Sequence, residues 1–213
     1  MTDKLNDEEI QEENTSNISS VFPFVLDETE IFAYWNNAFT PEECERIIEY
    51  GNTKNLKDAI VYTDGNSPLV DKTLRQAKTT FLYPYPDKDM IFVFERIREI
   101  VKVLNQRFFN FDIYGFAEGL QFGRYDEGSF HAKHIDKTNA AIIRKLSVSI
   151  QLTDPEEYEG GDLSVFIDSN ATRVGREQGK LILFPSYIVH EVSPITEGTR
   201  HSLVGWITGP NFK

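Results

Sequence analysis

The chain carries four histidines, His131, His134, His190 and His201, all in its second half. His134 and Asp136 lie two apart. On a strand, residues i and i+2 project to one face, so an imidazole and a carboxylate at this spacing can reach one point. A third ligand from another strand would complete a facial set. His190 is the natural candidate, because it follows the apolar run Lys180–Phe184 and a turn at Pro185-Ser186. Two imidazoles and one carboxylate occupy only three coordination positions. The open positions admit a chelating co-substrate and O2 together, which suits non-haem Fe(II). Zinc with similar ligands prefers four-coordinate closure with one water. Alone, His-x-Asp is a weak signal: it arises often by chance, and a strand histidine is more often structural or exposed.

Ten residues after His190 stands Arg200, followed at alternate positions by Ser202, Val204 and Trp206. These share one face of an expected strand, and His201, Leu203, Gly205 and Ile207 share the other. An arginine among apolar neighbours needs an anion, because a buried unpaired charge is very costly. Its planar fork matches a carboxylate at two points, and Ser202 could add a hydroxyl. That carboxylate belongs either to a co-substrate or to the protein, and without a metal site beside it the protein is the commoner source. His131, three residues before His134, faces the other way on a regular strand and reads as structural, as does His201. Trp206 either lines the pocket or fills the core.

The segments that must position these groups are short and β-rich, separated by Gly, Pro, Asp and Asn. They are Tyr114–Tyr125, Ser129–Asp136, Leu146–Thr153, Asp162–Ile167, Lys180–Phe184, His190–Ile195 and His201–Ile207. Such a pattern predicts a β-sandwich or jelly roll over about residues 112–208. Before it, Thr40-Pro41-Glu42-Glu43 forms a helix start with a capping box and proline at the first position. Cys44, Ile47 and Ile48 share its apolar face, which makes Cys44 a small core residue, and Gly51 is expected to stop the helix. Glu30–Phe39 is β-prone, Arg75–Tyr83 reads as one strand, and Asp87–Phe108 reads as a second long helix through Ile91, Phe94, Ile97, Val101 and Leu104. The fold class is therefore α+β, mainly β, with a jelly-roll core supported by N-terminal helices. Asp58–Lys78 is long, polar and Gly/Pro-bearing, a candidate substrate lid with Arg75 near its end, or a plain surface loop.

The 213 residues suit one large domain or one domain with an extension. Residues 1–20 hold six acids against Lys4, a net of −5, and lack aromatics, so a disordered acidic tail is expected there. The domain is then expected over 21–213. The whole chain carries −12; removing the tail's −5 leaves −7. An acidic chain repels phosphate backbones, so nucleic acid is not an expected partner. Near the candidate site the chain is locally basic, at Arg124, Lys133, Lys137, Arg144 and Lys145. That could favour an anionic co-substrate or an acidic peptide, although such clusters are more often a solvated face. The single cysteine, Cys44, excludes an intrachain disulfide and four-cysteine zinc sites. No apolar run reaches the about 18 residues needed to span a bilayer, and no secretory signal is visible. A soluble, cytoplasmic protein without membrane partners is the expectation.

Several segments resemble the prolyl 4-hydroxylase-like Fe(II)/2-oxoglutarate-dependent oxygenases. Tyr125-Asp126-Glu127-Gly128 with His134-Ile135-Asp136 is similar to their first metal-binding segment. Arg144-Lys145-Leu146-Ser147 with Gln151-Leu152-Thr153, and then Tyr158-Glu159-Gly160-Gly161-Asp162-Leu163, resemble the next core strand and turn. Gly179–Ser186, His190-Glu191-Val192 and Thr196–Ser202 resemble the distal histidine and 2-oxoglutarate segments. The likeness covers about residues 120–208 in order, and Phe39–Cys44 resembles the family's opening helix. It implies that His134, Asp136 and His190 ligate iron, choosing His190 over His131 and His201. It implies that Arg200 binds the distal carboxylate of 2-oxoglutarate, with Ser202 and Tyr125 as lesser contacts. Asp58–Lys78 resembles the loop that closes over the peptide, and Arg75 and Trp206 become candidate substrate contacts. Arg200 stands where the collagen-type enzymes place lysine. Gln151-Leu152-Thr153 stands where the family pattern has Tyr-Leu-Asn, which leaves the pattern's secondary co-substrate contact open.

The implied chemistry uses Fe(II), 2-oxoglutarate and O2, with ascorbate as an accessory reductant. The implied target is a C–H bond, a peptidyl proline foremost. A free amino acid, another peptide residue or a small metabolite is the alternative, and a non-catalytic jelly-roll binding module is the reading from another class.

Overall fold

The computed structural model describes residues 30–63, 67–85, 88–137 and 142–212. The expected acidic tail at 1–20, the expected start of the fold at Val21, Asp87 and residues 64–66 of the candidate lid lie outside the described residues.

After β1 (Ala33–Trp35), helix α1 runs Pro41–Asn52. Its start is the capping box: Thr40 Oγ1 accepts from the Glu43 N–H at 3.3 Å, and a Glu43 carboxylate oxygen accepts from the Thr40 N–H at 3.0 Å. Glu43 also pairs with Arg96, which ties α1 to the second helix. Gly51 does not stop α1. It lies inside the helix, where a Cβ would sit 2.6 Å from the Phe122 ring. The residue is glycine because a helix must lie flat on an aromatic, not because the helix must end. Cys44 is fully buried, and burial pushes its thiol up to about 12, as expected of a core residue.

Next come β2 (Lys57–Asp58), β3 (Val61–Thr63), β4 (Ser67–Leu69), β5 (Arg75–Gln76) and β6 (Lys78–Leu82). β3 and β4 form a hairpin inside the candidate lid. The single strand expected over Arg75–Tyr83 is two, broken at Ala77, and the pieces join different sheets. The second helical region is a 3-10 turn (Lys88–Met90), α2 (Ile91–Leu104) and a π-helical turn (Asn105–Phe109). Asn105 ends it by bonding both the N–H and the carbonyl of Phe111 with its amide, at 3.0 and 2.9 Å. Among the described residues no helix is long and apolar enough to cross a membrane.

The remaining strands are β7 (Gly115–Phe116), β8 (Leu120–Tyr125), β9 (Phe130–His134), β10 (Arg144–Gln151), β11 (Tyr158–Gly160), β12 (Leu163–Phe166), β13 (Ala171–Arg173), β14 (Leu181–Pro185), β15 (Val189–Val192), β16 (Ile195–Gly198) and β17 (Arg200–Thr208). A major antiparallel sheet has the order β1-β14-β10-β17-β8-β6-β2, with β7 beside β17. A minor sheet has the order β13-β12-β15-β9-β5. The two form a double-stranded β-helix, the expected jelly roll.

Alternation along the central strands divides the interior in two. Leu146, Val148 and Ile150 of β10, Leu181 and Leu183 of β14, and Leu203 and Ile207 of β17 pack against Cys44, Ile47, Val93 and Ile97 of the helices. Ile182 and Phe184 of β14 face the other way, with Tyr125, Leu163, Val165 and Val192 between the sheets. Helix packing thus rigidifies one face of the major sheet, and the other face is left to line a cavity.

Candidate active site

β9 and β15 pair with His134 opposite His190. The strand β9 ends at His134, so Asp136 is not its next inward residue, as two-residue spacing on a strand implied. It sits in a bend held by the backbone, where the N–H groups of Asp136 and Lys137 both donate to the Ser186 carbonyl, at 3.0 and 2.8 Å. The convergence expected from the spacing still results. His134 Nε2 lies 3.6 Å from one Asp136 carboxylate oxygen, and His190 Nε2 lies 3.5 Å from the other. One ligand atom from each residue falls within 4.8 Å of the others.

The tautomers are set from behind. His134 Nδ1 lies 2.8 Å from the Ala132 carbonyl, and His190 Nδ1 lies 3.0 Å from the Ile188 carbonyl. A carbonyl only accepts, so each Nδ1 carries a proton and each Nε2 is the nitrogen turned inward. Ser147 Oγ donates to Asp136 Oδ2 at 2.7 Å, and Ser147 and Ser186 hydroxyls lie 3.0 Å apart. This shell around the three inner groups is the kind that orients metal ligands.

Burial opposes ionisation of Asp136, but the His190 and His134 rings and the Ser147 hydroxyl outweigh it and hold the carboxyl well below the usual range. Burial also pushes His190 down, against the pull of the Asp136 carboxylate. A buried carboxylate and two imidazole Nε2 atoms converge on one point, a donor set that a divalent cation would satisfy. The donor set fits Fe(II), with positions left open for a chelate and O2.

The second part of the cavity is cationic. Arg200 is 1% exposed. Its Nη2 donates to Gln151 Oε1 at 2.8 Å, while its Nε and Nη1 have no hydrogen-bond partner. Among the described residues no carboxylate pairs with it, so none of them provides the anion. Ser202, Val204 and Trp206 line the cavity with Arg200, as alternation along β17 requires. Tyr125 is in register with Arg200 on β8, and its ring centroid is 5.4 Å from the guanidinium carbon. An orphaned, deeply buried guanidinium beside the triad fits a dicarboxylate such as 2-oxoglutarate.

His131 departs from expectation. It lines the cavity, and its ring stacks on His134 with centroids 3.6 Å apart. The cause is a bulge: His190 to Val192 on β15 stands against His134 to His131 on β9, two steps against three. The extra residue reverses the alternation, so His131 and His134 face the same side. Burial pushes the His131 ring far down, so it stays neutral. His201 does face away, stacking on Phe122 and meeting Thr153 Oγ1 at 3.2 Å.

The cavity opens into a groove of about 490 Å³. Arg75 and Trp206 border both spaces, and Ile60, Val61 and Leu74 from the Asp58–Lys78 segment border the groove. Arg144 grips Glu118 with two bonds of 2.9 Å and lies 3.7 Å over the Trp206 ring. Two supporting residues were not singled out in the sequence, Ser147 behind Asp136 and Gln121 beside Arg75. Gln151 was noted only as a departure from a family pattern. The signal for two of them was present: Ser147, Ser149 and Gln151 alternate with Leu146, Val148 and Ile150, a polar stripe on an otherwise apolar strand.

Residues 120–208 match the 2OG-Fe(II) oxygenase superfamily. A PKHD-type hydroxylase from Prochlorococcus marinus is 35% identical over 92 residues, covering 43% of this chain and 42% of that protein. The chain thus spans less than half the length of that relative. In three dimensions the chain is similar to a Pseudomonas putida prolyl-4-hydroxylase, with TM-score 0.69 and 19% identity over 86% of this chain and 95% of that one. It is also similar to a prolyl hydroxylase from Trichoplax adhaerens in complex with a hypoxia inducible factor oxygen degradation domain peptide fragment, with TM-score 0.67 and 16% identity over 97% and 94%. At these identities the likeness is one of fold. The segment that brings the three inner ligand groups and Arg200 together is the same one, residues 120–208, that matches the 2OG-Fe(II) oxygenase superfamily.

Proposed function

We propose that the protein is an Fe(II)/2-oxoglutarate-dependent dioxygenase that hydroxylates a C–H bond, a peptidyl proline foremost, with release of succinate and CO2. The observation that carries this reading is the placement of Arg200, a buried guanidinium without an anion, in the same cavity as the His134, Asp136 and His190 cluster.

In this reading His134 Nε2, Asp136 and His190 Nε2 hold the iron. Arg200, oriented by Gln151, takes the distal carboxylate of 2-oxoglutarate, with Ser202 and Tyr125 beside it. The bound metal with 2-oxoglutarate and O2 supplies the oxidising power: one oxygen atom enters the substrate C–H bond and the other enters succinate. Ser147 and the Ala132 and Ile188 carbonyls keep the ligands in their metal-binding orientation. Phe184 and Leu163 wall the cavity and limit water. Arg75 and Trp206 stand where a target residue would enter, and the β3–β4 hairpin forms part of the covering segment. The fold likeness to a prolyl hydroxylase with a bound peptide supports a peptide substrate.

The test is incubation with Fe(II), 2-oxoglutarate, ascorbate and proline-containing peptides. The expected result is peptide-stimulated succinate release and a gain of one oxygen atom on proline. Succinate formed at the same rate with and without every peptide would reject the prolyl target and direct a screen of amino acids and metabolites. No succinate from the iron-loaded protein with any compound would favour a binding module.

A further inference from the structure

The cavity holds a second buried cation, again with no carboxylate paired to it among the described residues. Arg75 is 9% exposed. Its Nη2 donates to Gln121 Oε1 at 2.7 Å, and its Nε has no partner. Among the described residues no carboxylate pairs with it. A buried guanidinium whose hydrogen-bond partner among the described residues is a neutral amide is an incomplete anion site.

Its position separates it from the co-substrate end. Arg200 is in register with Tyr125, whereas Gln121 lies four residues further along β8, opposite Val204. Four strand residues span roughly 13 Å. Arg75 and Gln121 border both the inner cavity and the outer groove, while Arg200 and Ser202 border the inner cavity alone. Arg75 is therefore at the neck that a target passes to reach the metal ligands. The groove outside is also cationic in its free charge. Lys133 and Lys137 border it, Glu118 is already held by Arg144, and Asp136 belongs to the candidate metal site.

We infer that Arg75, set by Gln121, is a specificity-determining residue that takes a carboxylate of the substrate, so the site selects targets with an acidic group next to the C–H bond. This rests on the dioxygenase reading of the same site. The carboxylate has two sources, an acidic side chain beside the target residue or the α-carboxylate of a terminal residue.

The test loads the full protein with Fe(II) and 2-oxoglutarate under argon, where no turnover occurs, and titrates three dye-labelled peptides. The first has Glu beside proline and an amidated end, the second replaces that Glu with Gln, and the third is the Gln peptide ending on proline with a free carboxylate. Wild type is expected to bind the first or the third about ten- to a hundredfold tighter than the second, the range of a charge-assisted hydrogen bond. Which of the two binds identifies the source. In R75Q the ratio is expected to shrink to within about threefold, with R75K intermediate and 2-oxoglutarate affinity unchanged in both. Removing an unpaired buried charge is not expected to unfold the protein, and thermal melting checks this. Equal binding of all three peptides by wild type, a ratio that survives in R75Q, or weakened 2-oxoglutarate binding in R75Q would overturn the inference. If the ratio persists when alanine replaces proline, and no hydroxyproline forms in air, the prolyl target fails and the Arg75 assignment stands.

Discussion

The Ser147 hydroxyl donates to Oδ2 of Asp136 across 2.7 Å, so the carboxylate that faces both imidazoles is fixed from the opposite sheet. Ser147 lies on β10 of the major sheet, while His134 and His190 lie on the minor sheet. Replacing it by alanine leaves one carboxylate oxygen without its donor and frees the side chain to rotate. Ser147→Ala is expected to weaken metal binding about 10- to 100-fold, the usual effect of losing a group behind a ligand. The cost to folding should be only about 1–3 kcal/mol. Metal titration and thermal unfolding of the same variant separate the two effects.

Arg200→Ala should raise the 2-oxoglutarate requirement by about 10- to 100-fold or more, because it removes charged donors from a buried carboxylate. Fe(II) affinity without co-substrate should match wild type, since Arg200 touches no metal ligand. Calorimetry with each ligand in turn reads both. Gln151→Leu should move in the same direction by less, through the guanidinium it holds at 2.8 Å.

His134 and Asp136 converge as their spacing suggested, though through a bend held by Ser186 and not along the strand; the family resemblance pointed to His190, and the alternation of Arg200, Ser202, Val204 and Trp206 was readable from local geometry. His131 was not. Its orientation depends on a bulge created by pairing with β15, which lies about sixty residues away in the chain. Gly51 was read as a helix stop for a similar reason: the demand for a missing Cβ comes from Phe122, and local sequence carries no trace of it. The break of Arg75–Tyr83 into two strands has the same origin, since β5 and β6 are claimed by different sheets. Long-range pairing decides these cases, and periodicity within a window does not see it.

Gly51→Ala tests the packing reading of that glycine. In an exposed helix the change would stabilise by about 1 kcal/mol. Here the added methyl meets the Phe122 ring at 2.6–2.7 Å. Overpacking of this kind costs about 1–3 kcal/mol, so a net fall in melting temperature is expected. A rise would return Gly51 to a local helix role.

His201 predicts part of the acid sensitivity. Burial lowers its ring from 6.5 to about 4. A base whose folded value is depressed favours the neutral fold, so its contribution is complete above about pH 6.5 and is lost as pH falls toward about 4. The difference corresponds to about 3 kcal/mol as an order of magnitude. Denaturant unfolding of metal-free protein at pH 7 and pH 4.5 should therefore show a smaller loss in His201→Gln than in wild type. Equal losses would mean that His201 does not titrate across folding.

The central claim is that His134, Asp136 and His190 form one iron site that works with 2-oxoglutarate. Its most direct test is succinate release from 2-oxoglutarate by Fe(II)-reconstituted wild type and Asp136→Ala, measured side by side in air with ascorbate. The account predicts iron-dependent succinate from wild type and none above the protein-free rate from Asp136→Ala. Succinate at the wild-type rate from Asp136→Ala, or none from wild type, would contradict it.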